Sequence, residues 1–75
     1  MKELIELNCI GMKFPRPIIE IAKIARNSPC STLHVISDDF TFENDIKAWV
    51  ETSNANLLKL EKDGYFVKVR IQFEN

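Results

Sequence analysis

The sequence predicts an α+β fold, a two-layer α/β sandwich in which two helices cover one face of a four-stranded mixed sheet, with the element order βαβαββ. Three observations predict this fold. Two segments carry apolar residues at helical spacing, a β-branched segment lies between them, and the last third of the chain alternates between apolar and polar residues. Because 75 residues provide for one hydrophobic core, we expect a single domain over residues 1–75.

The first half of the chain predicts a strand, a helix and a second strand. Residues 3–7 alternate between apolar and charged side chains, as a short strand does. Apolar residues then recur at helical spacing from Pro15 to about Asn27, on a face formed by Ile18, Ile21, Ala22 and Ala25. Pro15 and Pro17 fall in the opening turn, where backbone N–H groups lack an intrahelical partner and proline is tolerated. Residues 32–37 are β-branched and mostly apolar, which is typical of a central strand that pairs in parallel with the first.

The second half predicts a helix followed by a β-hairpin. Thr41 is the expected N-cap of a helix whose apolar face is Phe42, Ile46, Trp49, Val50 and Ser53. Leu58 and Leu60 alternate as in a strand, and the final strand places on one face Tyr65, Val67, Val69, Ile71 and Phe73. Asp63 and Gly64 predict a type I′ turn with positive φ at both residues. The other face of the sheet is left to water, with Glu6, Lys68 and Arg70 on it.

Composition and charge exclude several classes of partner. The net charge is −1, so the chain lacks the broad positive field that gathers nucleic acid. No apolar run approaches the roughly 20 residues of a membrane span, and the N-terminal sequence MKELIELN is unlike a signal peptide. We therefore expect a cytoplasmic protein. Nucleic acid is a disfavoured partner, and we expect no association with a membrane. The oligomeric state stays open.

The cysteine and histidine content predicts no disulfide and no metal site. Cys9 and Cys30 are the two cysteines, and in a cytoplasmic protein we expect both to be free thiols. His34 is the single histidine, and no carboxylate cluster or Cys-x-x-Cys motif shows ligand spacing. We expect neither a metal nor a cofactor.

Two loops are the candidate functional surface. In an open sheet with parallel strands, the loops that leave the carboxyl ends of those strands gather at one edge, where ligands and partners bind. Residues 8–14 follow the first strand, and residues 38–41 follow the second. We expect the start of the first helix to neighbour Asp38 and Asp39.

Three segments resemble the TusA/SirA-like family of sulfur carriers: LNCIGMKFPRP at 7–17, SDDFTFENDIKAW at 37–49 and KDGYFVKVRI at 62–71. The family pattern places Leu-Asp-x-x-Gly-x-x-Cys-Pro-x-Pro at the first helix, Asp-Asp-Pro before the second, and Asp-Ile within it. The chain matches this pattern at Leu7, Gly11, Pro15, Pro17, Asp38, Asp39, Asp45 and Ile46. It departs at Asn8 and Phe40, where the family usually has Asp and Pro. The resemblance spans nearly the whole chain and implies the same βαβαββ fold.

The resemblance also implies where sulfur chemistry would take place. In the family, the motif cysteine accepts a persulfide and passes the sulfur on, for instance toward tRNA thiolation. The positive end of the helix lowers the thiol pKa at that position. Here the position is Phe14, which has no lone pair for attack and no acid or base function. The scaffold resembles a sulfurtransferase that lacks its nucleophile. This resemblance implies a binding or regulatory variant that acts in sulfur trafficking without catalysis. Whether the chain is an enzyme stays open.

The expected partner-binding residues lie at the same edge: Gly11, Met12, Lys13, Phe14, Pro15, Arg16, Pro17, Asp38 and Asp39. The resemblance implies a protein partner, such as a cysteine desulfurase or another sulfur-relay protein. Phe14 either fills the core or is an exposed anchor for a partner's pocket. The two aspartates either orient a basic residue of the partner or satisfy backbone N–H groups of the loops, and the second interpretation is favoured.

Two other functions stay as alternatives. Cys9 is a candidate displaced sulfur acceptor that would make the chain an active carrier, although a free cysteine is usually a small buried apolar residue. Cys30 is expected in a turn at the opposite end of the sheet, where the family tends to have glycine. The second alternative is an RNA-binding module, because small sheets with an open face can stack single strands on aromatic side chains. Phe66 is the only aromatic residue expected on that face, which is too few for a stacking platform.

Overall fold

A computed structural model describes residues 3–74 and has the predicted element order βαβαββ. The elements are β1 Leu4–Asn8, α1 Arg16–Asn27, β2 Thr32–Ser37, α2 Phe42–Thr52, β3 Ala55–Asp63 and β4 Phe66–Phe73. Within the described residues, neither helix is long and apolar enough to span a bilayer.

The four strands form one mixed sheet with the order β1-β2-β4-β3. β1 and β2 are parallel, and the β2–β4 and β4–β3 pairs are antiparallel. Both strands of the parallel pair therefore end at the same edge of the sheet, where the loops 9–15 and 38–41 begin. The predicted fold class is confirmed.

The hydrophobic core lies between the two helices and one face of the sheet. β2 and β4 each turn every second side chain toward the helices, and these side chains are buried: Leu33, Val35, Val67, Val69, Ile71 and Phe73. Ile21 of α1 and Phe42 and Ile46 of α2 are buried against them. Burying a side chain of this size stabilises the fold by about 1.5–3 kcal/mol. Trp49 packs edge-on against Phe73, with ring centroids 6.2 Å apart. We call the opposite side of the sheet, which neither helix covers, the open face.

The predicted alternation of Leu58 and Leu60 on one face is wrong. The pairing of β3 with β4 shifts between Leu57 and Lys59, so Leu58 is an extra residue at a β-bulge. Leu57 and Leu60 both pack against the core, whereas Leu58 is 51% exposed. An extra residue at a bulge reverses the side-chain alternation, which no period-2 pattern can show.

The predicted type I′ turn at Asp63 and Gly64 is also wrong. Asp63 still pairs with Phe66, so the two-residue connection consists of Gly64 and Tyr65. Gly64 has φ 62° and is the only residue of the hairpin loop with positive φ, the sign pattern of a type II′ turn. Tyr65 therefore lies at the tip of the hairpin and is 89% exposed, so its expected place in the core is corrected as well.

The two cysteines are free thiols, as predicted. Cys30 lies in the turn between α1 and β2, at the end of the sheet far from the loops 9–15 and 38–41. Its φ of 65° falls in the left-handed region that favours glycine. The interpretation of Cys30 as a turn residue is confirmed.

Candidate functional site

Asp38 and Asp39 join the two loops at the carboxyl edge of the parallel strands. Asp38 Oδ1 accepts a hydrogen bond from the Gly11 N–H at 2.9 Å, and Asp39 Oδ2 accepts one from the Phe14 N–H at 3.1 Å. The start of the first helix therefore lies beside the two aspartates, as the sequence predicts. These contacts bridge residues that are 25 and 27 positions apart in the chain.

Asp39 is the buried member of the pair, with only 8% of its surface exposed. Its Oδ1 accepts hydrogen bonds from the Thr41 N–H at 3.0 Å and the Thr41 hydroxyl at 2.9 Å. Donation by the Thr41 N–H, assisted by the Thr41 hydroxyl, the Phe14 N–H and the charge of Lys13, lowers the pKa of the Asp39 carboxyl, although burial opposes the shift. A carboxylate with this set of donors remains ionised and holds both loops in place.

Thr41 occupies the predicted N-cap position of α2, but it makes no side-chain capping hydrogen bond. Its hydroxyl donates to Asp39 and approaches Asp45 Oδ2 at 3.4 Å. The Asp39 carbonyl accepts from the Phe42 N–H at 3.0 Å instead. Of the two interpretations of the aspartate pair, satisfaction of loop N–H groups describes the observed contacts, and recognition of a partner's basic residue stays a prediction.

The first turn of α1 contributes no negative charge of its own, and the carboxylate beside the helix entrance is that of Asp39, which accepts from the Phe14 N–H. Pro15 occupies the N-cap position without a side-chain hydrogen bond, Pro17 is buried in the first turn, and no acidic residue lies in that turn. The Arg16 N–H donates to the Lys13 carbonyl at 2.9 Å. The positive end of the helix dipole is thus left without a carboxylate from its own first turn, directly beside Phe14.

Phe14 is exposed, with 63% of its surface accessible, so it does not fill the core. Three more large side chains project from the same end of the sheet. Ile10 and Phe40 belong to the two loops and are 43% and 90% exposed. Tyr65 joins them because β4 begins where β2 ends, with Val67 opposite Ser37. We call Ile10, Phe14, Phe40 and Tyr65 the aromatic edge.

Of the aromatic edge, the sequence predicts only Phe14, and it does not indicate Ile10, Phe40 or Tyr65 as members. Phe40 replaces the proline that the family usually has before the second helix, and that departure was the available signal. Tyr65 continues the apolar alternation of β4, so its pattern predicts a core residue, and only the turn geometry places it outside.

An ion pair connects the β3–β4 hairpin to α2, because Lys62 Nζ lies 2.6 Å from Glu43 Oε1.

A family model described as sulfurtransferase TusA matches residues 5–73. The chain belongs to the sulfurtransferase TusA family. Among curated proteins, no significant match to the chain was found. Membership of the TusA family suggests a role in sulfur trafficking, in which proteins of this family work with protein partners in a sulfur relay.

Neither thiol of this TusA-family chain occupies the exposed position at the helix entrance. Cys9 is fully buried, and its N–H donates to the Ile36 carbonyl at 2.8 Å. Burial raises the pKa of the Cys9 thiol, the charge of Glu20 raises it further, and Arg16 opposes the shift. Burial and the charge of Glu20 therefore both disfavour the thiolate, which is the form that attacks a persulfide. Cys30 is exposed but lies at the other end of the sheet.

The remaining polar side chains of the edge do not form a metal site. Among residues 3–74, no group of three or more His, Cys, Asp or Glu side chains is placed to hold a metal ion. What the arrangement offers chemically is a hydrophobic contact surface beside two cationic side chains, Lys13 and Arg16, both of which are exposed.

Proposed function

We propose that this TusA-family chain acts in sulfur trafficking as a binding or regulatory protein and does not itself carry sulfur. The observation that carries the proposal is the exposure of the Phe14 ring at the entrance to α1. By resemblance to the family, this is the position of the sulfur-carrying thiol. A phenyl ring there offers apolar surface and no nucleophile.

The aromatic edge has the composition of a small protein interface. Exposed aromatic side chains that enter a partner's pocket supply most of the binding energy of such interfaces. Phe14, Phe40 and Tyr65 project from one end of the sheet, and Asp39 holds the loops that carry the first two. Burial of one such ring contributes about 1.5–3 kcal/mol before the cost of association.

The charge around Phe14 indicates the chemistry of the partner. Lys13 and Arg16 are exposed, and no carboxylate in the described part of the chain forms an ion pair with either. A partner with an apolar pocket and an acidic rim would match both features. We assign the partner role to a sulfur-relay protein such as a cysteine desulfurase. Direct contact is assigned to Gly11, Met12, Lys13, Phe14, Pro15, Arg16 and Asp38, whereas Pro17 and Asp39 of the predicted set are buried and support these loops.

A binding measurement with a purified cysteine desulfurase tests the proposal. Phe14→Ala is expected to weaken the complex about 30-fold or more, the loss that corresponds to a hot spot of about 2 kcal/mol. Leu58→Ala is the matched control, because Leu58 is similarly exposed but lies on the open face. Calorimetry should show unchanged affinity for the control. Equal losses in both variants, or none in either, would contradict the assignment.

A persulfide-loading assay separates this function from that of an active carrier. After incubation of the wild-type chain with a cysteine desulfurase and cysteine, intact-mass spectrometry is expected to show no added sulfur. Stoichiometric addition of sulfur to Cys9 would overturn the proposal in favour of a carrier that uses a displaced thiol. Because Cys9 is buried and burial raises its pKa, we expect it to stay unmodified.

A further inference from the structure

One row of polar side chains crosses the open face of the sheet from edge to edge. Glu6 on β1 pairs in register with His34 on β2, His34 pairs with Arg70 on β4, and Arg70 pairs with Lys59 on β3. Residues paired in register on one face have their side chains within direct reach of each other. The row therefore places His34 and Arg70 side by side on the two central strands, with Lys59 next to them on the edge strand β3.

Arg70 makes an unusual contact within this row. Its Nε donates to His34 Nε2 at 2.7 Å, so the guanidinium is held by a neutral acceptor and its charge is not compensated by that bond. Among the described residues, the ion pairs on this face include Lys59 with Glu61, at 3.6 Å, but none with Arg70 or Lys68. The terminal nitrogens of Arg70 remain available for a planar group with two oxygens, which guanidinium binds through two parallel hydrogen bonds.

The surface around Arg70 has room for a ligand. A depression of about 520 Å³ lies on one side of the His34–Arg70 pair, with Ile36 and Lys68 among its lining residues. A second depression of about 340 Å³, lined in part by Leu58 and Thr32, lies on the other side and shares the same two residues. The larger one falls within the range of roughly 300–1,000 Å³ that is usual for small-molecule sites.

We propose that the open face binds a small organic acid, with Arg70 binding its carboxylate and Lys68 adding a second positive charge. Lys68 lies two residues from Arg70 on the same face of β4, opposite Ile36. The His34 contact fixes the orientation of the guanidinium, and Ile36 offers an apolar floor. This site is separate from the aromatic edge and does not depend on the proposed role in sulfur trafficking.

The carboxylates that flank the site select the size of the ligand. Glu6 lies on one side of the basic row, and Glu61 lies opposite Lys68 on the other. A polyanion that crossed the sheet would bring its phosphates against these carboxylates, which costs binding energy. A compact acid with a single anionic group avoids both, so a metabolite-sized ligand is favoured over a nucleic-acid strand.

NMR titration of the full-length ¹⁵N-labelled chain tests the site. The probes are sodium lactate, sodium phosphate and sodium sulfate, each at constant ionic strength against sodium chloride. We expect saturable shifts of the Arg70 side-chain Nε–H and of the His34 and Lys68 amides with lactate. A response to phosphate or sulfate alone would assign the oxyanion to that class and overturn the carboxylate assignment.

Two variants and a control decide the role of the residues. Arg70→Gln is expected to weaken binding at least about tenfold, because it removes a charge-assisted bidentate contact. Lys68→Gln should weaken it in the same direction by a smaller factor, and Arg26→Gln, on an exposed arginine in the last turn of α1, should leave it unchanged. The dispersion of the amide spectrum verifies folding in each variant. Absence of saturable shifts in the wild type, or equal affinity of the wild type and both open-face variants, overturns the proposal.

Discussion

Phe14 lies beside the positive end of α1 and beside the Asp39 carboxylate, which accepts from its N–H. It precedes the N-cap Pro15, and the first turn of α1 contains no acidic residue, while Lys13 and Arg16 flank it. Phe40 occupies the equivalent position before α2, yet Glu43 and Asp45 lie in the first turn of that helix. Asp39 neighbours both exposed phenylalanines, so the two helix starts differ in the charge of their first turns alone.

This contrast gives a prediction for an introduced thiol. In a Cys30→Ser background, Phe14→Cys is expected to have a thiol pKa below the ordinary value of about 8.5, because the helix end, Lys13 and Arg16 favour the thiolate more than the nearby Asp39 carboxylate opposes it. Phe40→Cys is the matched control and is expected to have a higher pKa than Phe14→Cys, since its first turn holds two carboxylates. The pH dependence of the reaction with a thiol reagent measures both values. Equal pKa values would show that the helix entrance does not polarise a thiol.

Cys30 offers a second prediction at the residue scale. Its φ of 65° carries a steric penalty for a side chain with a Cβ, and glycine has no such penalty. Cys30→Gly is therefore expected to raise the free energy of unfolding by up to about 1 kcal/mol, as measured by urea denaturation. Cys30→Ala keeps the Cβ and should leave stability close to the wild-type value. A destabilised glycine variant would contradict this account of the turn.

At the scale of elements, Asp39 links the loop before α1 to the start of α2. One carboxylate accepts from the Phe14 N–H, the Thr41 N–H and the Thr41 hydroxyl, and it is almost fully buried. Because its pKa is lowered in the folded state, the stability it supplies is present above its unfolded pKa, near 3.8, and is lost as the pH falls through the folded value.

Asp39→Asn is expected to lower the free energy of unfolding at pH 7 by roughly 1.5–3 kcal/mol, the usual contribution of hydrogen bonds to a charged group. The variant should also lose less additional stability than the wild type as the pH falls below about 4, because the titrating carboxyl is gone. Asp38→Asn is the control, since Asp38 is exposed and accepts one loop N–H. Urea denaturation at pH 7 and pH 3 measures both effects. Parallel pH profiles for wild type and Asp39→Asn would rule out this role.

The elements of this fold were largely predictable, whereas their local irregularities were not. Helical spacing from Pro15 and alternation in residues 66–73 predict α1 and β4, because both patterns reflect burial on one face. The bulge at Leu58 and the turn at Gly64 and Tyr65 were missed, since each depends on how two strands pair and not on the period of either. The proximity of the two aspartates to the first helix followed from parallel pairing alone. The exposure of Phe14 could not be predicted in this way, because a single apolar residue in a loop is compatible with either a buried or an exposed position.

At the scale of the whole molecule, the helices cover one side of the sheet and leave a mixed-charge surface on the other. That surface carries Lys59, Lys68 and Arg70 together with Glu6 and Glu61, and the net charge of the chain is −1. Nucleic-acid binding relies on many basic side chains that contact phosphates without nearby carboxylates. Phe66 is the aromatic residue of β4 on the open face, and its exposure is 38%.

We therefore expect no complex between the chain and tRNA. A gel mobility-shift titration at low salt, where electrostatic attraction is strongest, measures this outcome. A shift that weakens with salt and is lost in Lys68→Gln would contradict the expectation and would favour the RNA-binding alternative. The control is a basic RNA-binding domain of similar size under the same conditions.

The hydrogen bonds that Asp39 accepts from the two loops affect the affinity that a small surface can have for a partner. Phe14 and Phe40 are attached to backbone that Asp39 has already ordered in the unbound chain. Little conformational entropy then remains to be lost when the rings enter a pocket, and preorganised contacts convert more of their apolar burial into affinity. At the proposed interface, this order is expected to lengthen the lifetime of a complex relative to one formed by flexible loops.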